Sequence, residues 1–176
     1  MNTRLDEIRL ALKCLQDIDS IKLPEQWFAL AFNTMLYRNF APDFMWGALV
    51  DLCNNRSNDL NCYIVEESCF YSINIECMDR VYLSEQSVSE YLLTDFRFTR
   101  DHVIFDLSAC WAVRRDQDVI YFLFCVEDSA YIFELLGGFS NIENIMLNDF
   151  DGIKGRAGIV ENYVSALLKN TKYASF

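Results

Sequence analysis

With 176 residues the chain has the size of one domain, and 52% hydrophobic and 15% aromatic content against 23% charged separates it from chains too polar to fold. Its net charge of −11, from 26 acidic and 15 basic residues, argues against a nucleic-acid or anionic-membrane binder, because both need clustered Lys and Arg. A cationic protein partner fits that balance, and the same charge also serves solubility.

Leu5, Ile8, Leu12 and Leu15 recur at spacings of three and four, with Thr3 placed as a cap, so residues 3–19 are expected to form an amphipathic helix. Pro24 suits the first turn of a second helix reaching Tyr37, and Pro42 that of a third reaching Cys53. The polar segment 54–59 then breaks the pattern. From Cys62 the period becomes two. Cys69, Tyr71, Ile73, Ile75 and Cys77 share one side, which predicts a half-buried strand over 69–77. Ser87 and Glu90 match a capping box for a short helix ending at Leu93.

Val103, Phe105, Leu107, Ala109, Trp111 and Val113 alternate as one long strand. A polar turn at 115–118 leads into Val119–Val126, apolar on both sides, and a turn at 127–129 into a strand over 130–136 ended by Gly137 and Gly138. These three strands read as an antiparallel meander. The two-sided apolar run makes its middle member a central strand covered on both faces. After 139–150, which shows no clear period, Val160, Tyr163, Val164, Leu167 and Leu168 mark a last amphipathic helix. The expectation is one α+β domain over 1–176: about three helices over 1–60, mainly strands over 61–150 with one short helix, and a C-terminal helix over 151–176.

The charge is unevenly spread. Residues 1–60 carry eight acids and six bases, 61–150 sixteen and five, and 151–176 two and four, so the strand-rich middle holds the whole net charge. No lysine occurs between Lys22 and Lys154. Three acidic pairs fall at expected turns: Glu66 with Glu67, Asp116 with Asp118, and Glu127 with Asp128. A strand of eight residues spans roughly 26 Å, which sets the last two turns at opposite ends of a sheet, so the acids are expected to form no single tight patch and to act instead as a broad negative field able to steer a basic partner.

The odd number of cysteines, seven, lying mostly among apolar residues, reads as reduced thiols in a cytoplasmic protein. Met1–Ser20 lacks the unbroken apolar stretch of a signal peptide, and the eight residues of Val119–Val126 fall short of the about 20 a membrane helix needs. No Cys-x-x-Cys pair accompanies the single histidine, so no metal site is expected. Asn148–Gly152 fails the calcium-loop register, and Gly152–Gly158 matches neither phosphate-binding glycine pattern, so no cofactor is expected. His102 and Asp106 point to one side of a strand but about 13 Å apart, too far to pair. Trp27, Trp46 and Trp111 fit core positions, whereas Tyr37, Phe40 and Tyr82 fall off phase as candidate exposed anchors.

The stretch Asp101–Val113, continued through the hairpins to Leu136, resembles the small acidic α+β immunity proteins of bacterial polymorphic toxin and contact-dependent growth inhibition systems. The likeness is one of size, charge and organisation over most of the chain. It implies a cytoplasmic, non-enzymatic role: binding a cationic toxin domain, such as a nuclease, and occluding its active site. On that reading Glu66, Glu67, Asp116, Asp118, Glu127, Asp128 and Tyr82 are the candidate partner-binding residues. Two other readings stand beside it, a type III-like secretion chaperone and a small enzyme using His102 or a cysteine.

Overall fold

The computed structural model describes residues 3–16, 22–72, 77–108 and 110–150. Six strands form one antiparallel sheet: β1 Trp27–Asn33, β2 Asn61–Glu66, β3 Asp79–Tyr82, β4 His102–Phe105, β5 Trp111–Arg115 and β6 Val119–Cys125. Their spatial order is β1-β6-β5-β4-β2-β3. Among the described residues six α-helices pack on it: α1 Thr3–Cys14, α2 Asp43–Asn55, α3 Glu67–Tyr71, α4 Glu85–Leu93, α5 Ser129–Leu135 and α6 Phe139–Phe150. The α+β class and the antiparallel sheet are as the sequence implied.

Cross-strand partners point to the same side of a sheet, so the register assigns its two faces. Phe28, Leu30 and Phe32 on β1 stand opposite Phe124, Phe122 and Ile120 on β6, and Trp111, Val113 and Arg115 on β5 continue that face. Three helices cover it. Trp46 of α2 meets Phe122 edge-on at 5.4 Å, Phe133 of α5 stacks on Phe28 at 5.6 Å, and Tyr91 of α4 meets His102 at 6.4 Å. The opposite face carries Ala29, Ala31, Leu123, Tyr121, Ala112, Arg114, Val103 and Phe105. There Phe70 of α3 packs on Phe105 at 5.3 Å, Arg9 of α1 donates to the Phe70 carbonyl at 3.0 Å, and α6 seats Met146 on β1. The Met146 sulfur accepts the Ala31 amide at 3.4 Å on the free edge of the sheet. The result is a sheet between two helical layers, which is what a central strand apolar on both sides demands.

Several expected elements differ. The segment 24–37, expected as a helix, holds β1 and a 3-10 turn at Thr34–Leu36. All seven residues of β1 are buried, and a strand buried on both faces loses the polar alternation that would mark it. The single long strand over 103–113 is a hairpin of β4 and β5, because Asp106 accepts from the Ser108 hydroxyl and from the Cys110 amide at 3.3 Å and bends the chain back. The segment 130–136 is mostly α5, so the meander consists of β4, β5 and β6. Residues 69–71, expected in a strand, belong to α3, while 73–76 lie outside the described residues. Helix α4 is capped by Ser84, whose hydroxyl accepts the Ser87 amide at 3.1 Å; Ser87 itself sits inside the helix. Helix α1 ends at Cys14, short of the expected 19, and the C-terminal helix lies outside the described residues.

Phe122 is fully buried between Phe32 and Trp46, at ring distances of 5.9 and 5.4 Å. Phe122→Ala is expected to cost about 3–5 kcal/mol in urea unfolding. A loss below about 1 kcal/mol would mean that α2 does not pack on β6 as described.

Candidate functional site

Antiparallel pairing gathers the ends of β2 and β5 with the starts of β4 and β6 at one end of the sheet. A cavity of about 430 Å³ opens there, lined by Gln16, Glu66, Glu67, Ser68, Tyr71, Arg100, Asp101 and Arg114. At its base Arg114, on central strand β5, donates through Nε to Glu67 Oε1 at 3.0 Å and Oε2 at 3.2 Å, and through Nη1 to Asp116 Oδ2 at 3.2 Å. Gln16 also donates to Glu67. Burial opposes the Arg114 charge, but the bonds to Glu67 and the charges of Glu67 and Asp116 more than offset it and hold the guanidinium above its ordinary range. Helix α3 starts directly after β2, with the Glu67 amide donating to the Asp101 carbonyl at 2.9 Å, which aims Glu67 at Arg114.

At the rim, Glu66 pairs with Arg100. The Asp101 carboxyl is pushed up by burial first, then by the negative charges of Glu67 and Asp116, against the pull of Arg114 and Arg115. Burial and the Glu67 charge likewise push up the Tyr71 hydroxyl in the wall. Asp116 also closes the β5–β6 turn, accepting from the amides of Asp118 at 3.0 Å and Val119 at 2.6 Å. Asp118 is exposed on that turn.

Beside this end lies an aromatic run, of which Phe40 alone was expected as an exposed anchor. Arg115 stacks over Phe40 at 4.8 Å, Phe40 on Phe98 at 6.1 Å, and Phe98 meets Phe96 at 6.2 Å. Phe96 is 72% exposed, and both it and Asp95 have left-handed backbone, with φ 55 and 53. Such backbone is costly for a non-glycine residue and is held here by its surroundings. The turn at 94–99 is tied to the acidic end, since Gln117 donates to the Thr99 carbonyl at 3.2 Å and Arg115 to the Arg100 carbonyl at 3.2 Å.

The candidate residues thus separate into groups. Glu66, Glu67, Asp116 and Asp118 share one end of the sheet; Glu127 and Asp128 lie at the other, past the end of β6. Glu67 and Asp128 are buried, at 8% and 7% exposure, and are engaged by Arg114 and by Arg56, whose Nη2 lies 2.6 Å from Asp128 Oδ1. These two carboxylates hold the fold and present no open charge to a partner, a correction to their expected role. Glu127 is exposed, and Tyr82 is 54% exposed on edge strand β3. Of the other expected anchors, Tyr37 is half-buried and donates to Asp149 at 2.6 Å, and Phe40 is half-buried between Arg115 and Phe98.

His102 is buried, and its Nδ1 lies 2.9 Å from the Arg100 carbonyl, which makes Nδ1 the protonated nitrogen of the neutral ring. Asp106 follows the far end of β4, so the two do not meet, as the strand spacing implied. Among the described residues no His, Cys, Asp and Glu group is arranged to hold a metal ion, and no helix is long and apolar enough to cross a membrane. Comparison with protein-family models, with curated proteins and with solved structures gave no match.

Arg114→Ala strands the buried Glu67 carboxylate and is expected to cost about 3 kcal/mol or more in urea unfolding, with Arg114→Leu combined with Glu67→Leu recovering most of it. A single-variant loss no larger than that of the double variant would show that the pair is not a coupled buried unit. Burial holds the His102 pKa below its ordinary 6.5, so the unfolded chain takes up a proton first. Its contribution to stability is complete above about pH 6.5 and is lost as pH falls toward the folded value. His102→Gln is expected to flatten that part of the stability profile; an unchanged slope between about pH 7 and 5 would overturn the assignment.

Proposed function

We propose that this protein is a non-enzymatic binding protein that docks a basic protein at the acidic end of its sheet, and that it serves as an immunity protein, occluding the active site of a cationic toxin domain. The observation that supports this reading is the placement of an exposed anchor beside an acidic field. Phe96 stands in left-handed backbone, in a turn tied by hydrogen bonds to the end of the sheet that carries Glu66, Asp101 and Asp118. Burial first, and then the charges of Glu67 and Asp116, raise the Asp101 pKa, so a cation brought beside it favours its ionised form. A Lys or Arg side chain entering the cavity supplies that cation, while Phe96 contributes desolvated apolar contact. The acids steer approach and the aromatic slows departure.

The immunity role further draws on the resemblance of Asp101–Leu136 to immunity proteins and on a net charge of −11 suited to covering a basic cleft. The reading is tested with tagged chain used to isolate its partner from the source cell, followed by binding kinetics on the purified pair. A variant combining Glu66→Lys, Asp101→Lys and Asp118→Lys should lower the association rate by roughly tenfold or more and weaken its salt dependence, while Phe96→Ala should raise the dissociation rate by a similar factor. Protection of cells expressing the partner should fall in the same order. An acidic partner, or binding unchanged by both variants with folding intact, would refute the reading.

A further inference from the structure

The opposite end of the sheet carries a different chemistry. Trp111 stands opposite Phe124, so one step outward Cys110 faces Cys125, and the Cys125 amide donates to the Cys110 carbonyl at 3.3 Å. Residues opposed across an antiparallel pair keep their Cα atoms about 4.5–5.5 Å apart and their side chains on one face. That separation lies inside the roughly 4.4–6.8 Å over which disulfides form. Cys110 precedes β5 in irregular backbone, where the small adjustment for bonding is easily made.

Two guanidiniums converge on the Cys110 sulfur: Arg56 Nη1 at 3.3 Å and Arg4 Nη1 at 3.7 Å. Asp128 fixes Arg56 through bonds of 3.0 and 2.6 Å. Guanidinium donors bond an anionic sulfur more strongly than a neutral one. Cys110 is 3% exposed, yet Arg4 is exposed and the Arg56 side chain is 28% exposed, so the sulfur lies beneath groups that reach solvent. Cys125 is half-buried, and its thiol is pushed up to about 12 by burial, then by the charges of Cys110 and Asp128. It therefore remains a thiol while Cys110 is oxidised. Cys53, the third sulfur of this region, already accepts the Trp111 indole N–H at 3.4 Å.

We propose that Cys110 and Cys125 form a peroxide-reactive thiol pair that closes to a cross-strand disulfide. The Cys110 thiolate attacks one oxygen of hydrogen peroxide, the O–O bond breaks, hydroxide leaves, and Cys110 becomes a sulfenic acid. Cys125 then gives up its proton and attacks that sulfur as a thiolate, the proton joins the departing hydroxyl as water, and the S–S bond forms. The two sulfurs lose two electrons and peroxide gains them.

The test uses full-length protein exposed to hydrogen peroxide, alkylated, and digested with trypsin without reduction. The expected product is a mass loss of two hydrogens and a link between the peptide ending at Arg114 and the peptide beginning at Asp116. Cys110→Ser and Cys125→Ser should each abolish the link, and Cys125→Ser should leave a sulfenic acid on Cys110 that a 1,3-dione captures. Arg56→Gln should slow the reaction by about tenfold. Its thermal melt separates this from unfolding, and Arg4→Gln, at the second guanidinium, should slow the reaction without touching Asp128. Seven free thiols after a treatment that oxidises free cysteine, a link through Cys53, or a rate indifferent to both arginines would each overturn the proposal.

Discussion

Strand β6 has no polar side. Val119–Cys125 places Ile120, Phe122 and Phe124 on one face of the sheet and Tyr121 and Leu123 on the other, and these five are buried. A strand of this kind is stable only when apolar layers cover both faces. Helices α2, α4 and α5 supply one layer and α1, α3 and α6 the other. Neighbouring strands inherit the constraint: β1, β4 and β5 are buried along their whole lengths. With both faces closed, charged chemistry collects at the two ends of the sheet and at edge strand β3.

Within that frame β5 is anomalous, because Arg114 and Arg115 are consecutive, buried, and directed to opposite faces. Each is accommodated differently. Arg114 meets Glu67 and Asp116 directly and lies over the Tyr121 ring at 5.5 Å, so its charge is paired and hydrogen-bonded. Arg115 stacks on Phe40, donates to the Arg100 carbonyl, and feels Asp101 and Asp116 only through space; burial pulls its pKa down. Part of the acidity at this end therefore serves the fold. Glu67 and Asp116 hold Arg114 and Glu66 pairs with Arg100, whereas Asp101 and Asp118 are exposed.

The sequence disclosed elements whose burial is one-sided or whose ends are chemically marked. Helix α2 follows Pro42 and ends before the polar 56–59 segment, and β6 stands between two polar turns, so both were legible. Strand β1 was not, since Trp27–Phe32 is apolar at every position and length alone does not separate a buried strand from a helix. A signal was present in side-chain size: Phe28, Leu30 and Phe32 alternate with Ala29 and Ala31, large residues toward α2 and α5, small ones toward α6. The β4–β5 hairpin hid because apolar alternation keeps its phase from Val103 to Val113 and no Gly or Pro marks the bend. The bend is made by side-chain bonds of Asp106, which composition does not show.

The candidate sites were harder to read than the fold for a topological reason. Antiparallel pairing sets alternate hairpins at opposite ends, so residues close in sequence part and distant ones meet. Asp101 and Asp106 are five positions apart yet belong to different ends, while Glu66, Asp101 and Asp116 converge. Likewise Arg4, Arg56, Cys110 and the stretch from Cys125 to Asp128 come from four separate segments to build one thiol and guanidinium cluster. The acidity lies in the middle of the sequence, but the pairing of Asp128 with Arg56 and of Glu67 with Arg114 exists only in the folded chain. The sign of the field is a property of composition; which carboxylates are free to express it is decided by where the buried arginines fall.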